Sequence, residues 1–98
     1  MNPRLHWLRE QLNKEFCQEP GMLEHLRMQR QATPQGRSES HWLVLDAVPQ
    51  GQLTALAHLL EEFQRQYLHE GEGWVMDACN QGLLQPQYQV TLEVQFKS

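Results

Sequence analysis

From Tyr88 to Phe96 the chain alternates without a break: Tyr88, Val90, Leu92, Val94 and Phe96 are apolar or aromatic, and Gln89, Thr91, Glu93 and Gln95 are polar. A period of two belongs to a strand with one buried face and one wet face. Such a strand sits in an antiparallel sheet covered on one side only, and the cover is expected from the strongest amphipathic helix, at Leu53–Leu68. The other side is left to water or to a partner.

The rest of the chain supplies the partners of that strand. Asn2 offers a capping acceptor and Pro3 suits a first helical turn, so a helix is predicted over about 3–16 with Leu5, Leu8, Leu12 and Phe16 on one stripe. Residues 22–33 carry helix-favouring Leu, Glu, Arg, Met and Gln. Their alternation (Leu26, Met28 and Ala32 against Arg27, Gln29 and Gln31) and the turn Thr33-Pro34-Gln35-Gly36 favour a hairpin over about 22–48. Its second arm, clearest over His41–Val48, is almost continuously apolar, which suits a central strand covered on both faces or a strand with a partly buried outer face. A helix over about 51–70 follows, with an expected Glu61–Arg65 pair and Gly71 as its cap. Strands over about 73–79 and 87–97 complete the order α-β-β-α-β-β. The expectation is one α+β domain over residues 1–98, an antiparallel sheet with its helices mainly on one face.

Ninety-eight residues suffice for one modest core and not for a catalytic domain beside a binding domain. Charge divides unevenly: residues 1–40 hold six basic and five acidic side chains, residues 41–98 two basic and seven acidic, within a net charge of −4. That balance disfavours nucleic acid and favours basic or neutral partners, and it would let two copies meet head to tail. No apolar run approaches the ~18 residues of a membrane span, and no signal-peptide core follows the first residues. Cys17 and Cys79 are far apart and lack a CxxC partner, so reduced thiols and a cytoplasmic location are expected.

No catalytic, cofactor or metal motif is present. The histidines, His6, His25, His41, His58 and His69, show no HxH, HxxxH or HExxH spacing. Asp46 and Asp77 stand in apolar strands, where a buried carboxylate could serve as acid or base, the competing reading being strand-end aspartates that accept backbone hydrogen bonds or face water; Cys79 shares the parity of Asp77. Trp7 lies off the stripe of the first helix and is read as a partner contact, the competing reading being burial inside the monomer. Arg27, Arg30 and Arg37 flank the hairpin and could grip phosphate or an acidic surface.

Three functions follow in order of preference. The first is a small cytoplasmic protein-binding module, an adaptor, chaperone or regulator without catalytic activity, able to act as a homodimer. The second is a small-molecule-binding protein or enzyme with a pocket near Asp46, Asp77, Cys79 or His41. The third is nucleic-acid binding through Arg27, Arg30 and Arg37.

Overall fold

Asn2 opens the first helix by accepting hydrogen bonds from the Arg4 and Leu5 amides at 3.0 and 3.2 Å. The computed structural model describes residues 2–82, 84 and 86–98. It comprises α1 (Pro3–Phe16), β1 (Leu23–Thr33), β2 (Gly36–Pro49), α2 (Leu53–Tyr67), β3 (Gly73–Asn80) and β4 (Gln87–Lys97), with a single 3₁₀ turn at Gln50–Gln52. The four strands form one antiparallel sheet in the order β1-β2-β4-β3. Two hairpins therefore meet along β2 and β4, the two most apolar strands, which take the centre because both their edges are then paired. No described helix is long and apolar enough to cross a membrane.

The core is one cluster. Leu5, Leu8, Leu12 and Phe16 of α1 and Leu56, Leu60 and Phe63 of α2 meet Leu43, Leu45 and Val48 of β2 and Val90, Leu92, Val94 and Phe96 of β4. All the strand residues in that set share one face of the sheet. β2, at 14 residues, would extend over roughly 46 Å at the usual rise of a strand. That length accounts for the 49 Å long axis of a molecule only 23 by 21 Å across.

Two bulges set which side chains reach the core. In β2 the register slips between Leu45 and Val48, where Ala47 takes a left-handed φ of 56°. A strand without that slip would send Leu45 and Val48, three apart, to opposite faces; the extra residue lets both point inward. In β1 the slip falls between His25 and Arg27, around Leu26. The alternation in the sequence places Leu26 beside Met28 on the inner face. The bulge instead turns His25 inward and leaves Leu26 53% exposed.

Two local expectations are corrected. α2 ends at Tyr67 with Leu68 as its C-cap, so Gly71 (φ 83°) serves the turn into β3 rather than the helix end. Arg65 pairs with Glu62, one turn back by three residues, in place of Glu61.

Gly36 closes the β1–β2 turn at φ 141°, and a Cβ there would collide with the Ser98 carbonyl oxygen. The Arg37 and Ser98 amides exchange hydrogen bonds with each other's carbonyls at 3.3 and 3.0 Å, so that collision pulls the end of β4 off β2. Gly36→Ala is expected to lower stability by about 1–2 kcal/mol, read as a lower urea midpoint at unchanged slope.

Candidate functional site

The register places the side chains of the uncovered sheet face in rows. Arg27, Trp42, Glu93 and Val75 form one row across β1, β2, β4 and β3. Val44, Thr91 and Asp77 form the next. The Arg27 guanidinium lies 4.0 Å from the Trp42 ring centroid, a cation–π stack that holds both side chains flat against the sheet. Val44 beneath them is buried yet is not part of the core cluster. It is covered by neighbours on its own face. Val75 is 61% exposed at the other end of the row. Around this apolar strip the face carries Glu24, Asp46, Asp77 and Glu93 against Arg27 and Lys97, an acidic surface on balance.

Asp46 and Asp77 share that face without meeting. Asp46 accepts a hydrogen bond from the Gln89 side chain at 2.9 Å, and Cys79 pairs with Gln89 from the far side. β4 lies between the two aspartates, and two strand spacings across with two residues along set them roughly 12 Å apart. Both are exposed, as is Cys79. The expectation of buried carboxylates beside a thiol in one pocket is therefore corrected: the strands carry these groups on the wet face, away from α2. Only His41, from that set, turns toward the helices.

The three arginines are also separated. Arg27 stacks on the open face, Arg30 faces the helix side and pairs with Glu39 at 3.5 Å, and Arg37 stands by the turn next to Ser98. They do not form one grip. Trp7 is half-buried between the helices, its ring centroid 4.7 Å from that of Tyr67 and 6.0 Å from that of Phe63. Helical periodicity sets Trp7 apart from the stripe of α1; α2 packs close enough to reach it there, which removes the ground for reading it as a free aromatic.

On the helix side, α1 and the β1–β2 hairpin enclose a cavity of about 450 Å³. His41, only 4% exposed, forms its floor. Its Nε2 donates to Glu39 Oε1 at 2.5 Å and its Nδ1 shares a proton with His25 Nε2 at 3.0 Å. The His41 hydrogen bond holds the Glu39 carboxyl below the usual carboxylate range, so Glu39 stays ionised and fixes the direction of the His41 bond. Burial lowers the basicity of His25, and the positive field of His41 and Arg9 lowers it further. Leu5, His6 and Arg9 of α1 and Met28 of β1 complete the walls. No group of three or more His, Cys, Asp and Glu side chains among the described residues is arranged to hold a metal.

A second polar constellation is structural. Glu72, 1% exposed at its side chain, receives Arg4 on both carboxylate oxygens at 2.6 and 2.8 Å. The His69 and Lys97 amides donate to the same two oxygens at 2.6 and 2.8 Å. Arg4 also donates to the Tyr67 carbonyl and covers the Phe96 ring. The start of α1, the end of α2 and the end of β4 are thus fastened at one carboxylate. Sequence reasoning missed it, since nothing local marks a partner 68 residues away.

No protein-family model matches this chain, and no curated protein and no solved structure is significantly similar to it.

Proposed function

We propose that the chain is a small protein-binding module without catalytic activity, acting in the cytoplasm, that docks a neutral or basic protein surface on its open sheet face. The observation that carries this reading is the Arg27–Trp42–Glu93–Val75 row: a half-buried indole, a stacked guanidinium and an exposed valine on a face that no described element covers. Trp and Arg are the residue types that dominate binding hot spots, and a flat apolar strip rimmed by charge is the anatomy of a protein interface. The acidic rim selects against acidic partners and against phosphate. A second copy of the chain is one admissible partner, because Arg27 stands at the β1 side of the face and Asp77 at the β3 side.

Cys79 gives a direct test, being an exposed thiol on that face. Cys17 is partly buried and burial pushes its thiol up, which slows its reaction with a maleimide relative to an exposed thiol. Labelling Cys79 with a maleimide–benzophenone and irradiating in nuclease-treated native lysate should give a discrete protein adduct. The Arg27→Glu, Val75→Glu double variant, folded by circular dichroism, should lose at least nine-tenths of it. A self-adduct identifies the homodimer; absence of any discrete adduct, or its survival in the double variant, overturns the reading.

A further inference from the structure

The cavity under α1 has an unbalanced charge. Its lining carries Arg9 and Arg30 against Glu39, a net of one positive charge with the histidines neutral, and Arg30 pairs with Glu39 at 3.5 Å. Arg9 lines the cavity and makes no side-chain ion pair among the described residues. A guanidinium that faces a cavity without an anionic partner, in a site with one net positive charge, is matched by a monoanion.

We infer that this cavity binds a small organic monocarboxylate with a short apolar chain, gripped by Arg9, with the chain lying along Leu5 and Met28. The guanidinium presents parallel N–H groups in one plane, the geometry that a carboxylate accepts on two oxygens. The ionised Glu39 among the lining residues repels a dianion more than a monoanion, which favours carboxylate over phosphate. Leu5 and Met28 supply an apolar patch in a lining that is otherwise polar. The volume falls within the few hundred cubic ångströms of ordinary small-molecule sites. His41 acts as a positioning residue: tied to Glu39 on one nitrogen and to His25 on the other, it fixes the wall that Arg9 faces. The cavity opens on the helix side of the sheet, so this site stands or falls independently of the open face.

The test is a nuclear magnetic resonance titration of the whole chain with sodium butyrate at constant ionic strength. Butylammonium chloride, sodium chloride and inorganic phosphate run in parallel. Butyrate should shift the Arg9 Nε–H and the His25 and His41 ring protons saturably in the millimolar range. Arg9→Gln should weaken binding at least about tenfold, the scale of one charge-assisted hydrogen bond. Met28→Glu, at an exposed strand position in the cavity wall, should do the same by adding a like charge while Arg9 stays in place. Shifts that grow linearly and match sodium chloride, a response to butylammonium, tighter binding of phosphate than of butyrate, or unchanged affinity in both variants would each overturn the inference.

Discussion

Glu72→Gln should cost the fold about 3 kcal/mol at neutral pH, the scale expected when one partner of a buried, multiply bonded ion pair is removed. The glutamine amide keeps the shape of the carboxylate, but it can no longer accept on both oxygens from Arg4 while also receiving the His69 and Lys97 amides. Burial by itself pushes the Glu72 carboxyl up; the hydrogen bonds from Arg4, Lys97 and His69 and the charge of Arg4 outweigh it and hold the group at about 2, against an ordinary 4.5. A carboxyl depressed in the folded state stabilises the fold above its ordinary value, and that contribution disappears as pH falls from 4.5 through about 2. Urea unfolding of the wild type and the variant should therefore show a gap that is full at pH 7 and closes as pH falls toward 2. A gap that persists unchanged in acid would mean that packing, rather than the ionised carboxylate, carries the effect.

Trp7→Ala should lower stability by about 2–3 kcal/mol, below the usual loss for a fully buried aromatic because the indole is only partly buried. The lost contacts are the stacked Phe63 ring and the tilted Tyr67 ring, which join α1 to α2 beside the core. Denaturant unfolding measures the loss directly, and the Cys79 photo-adduct of the folded variant should keep its yield. Unchanged stability with a lost adduct would return Trp7 to the role of partner contact.

Much of the architecture was readable because period and punctuation agree. Pro34 and Gly36 fix the hairpin turn, and its closure alone sets Arg30 opposite Glu39 and Met28 opposite His41, as found. The alternation of Tyr88–Phe96 gives β4 its two faces, and the Leu5–Phe16 stripe gives α1 its buried side. Bulges carry no such signature. An unbroken β1 would put His25 on the wet face, opposite Val44 and away from His41; the extra residue at Leu26 reverses it and assembles the Glu39–His41–His25 chain. For the same reason Leu26 could not be recognised as exposed. Trp7 and Glu72 were illegible on another ground, since their partners lie across the chain and depend on how α2 settles against α1. The strand aspartates misled because apolar neighbours in sequence are not neighbours in space: in a one-sided sheet the residue between two buried ones faces water.

Ala47 makes β2 a strand read in two frames. Residues up to Leu45 contribute to the core at odd numbers, and Val48 beyond the slip contributes at an even one. Loss of a single residue at this point would set Leu45 and Val48 two apart, so a regular strand would carry both inward and the bulge would vanish with the residue. Loss of a single residue within the regular stretch before Leu45 would instead turn the residues on one side of the break to the opposite face. The slip is therefore a place where this strand can change length by one and keep its inward set.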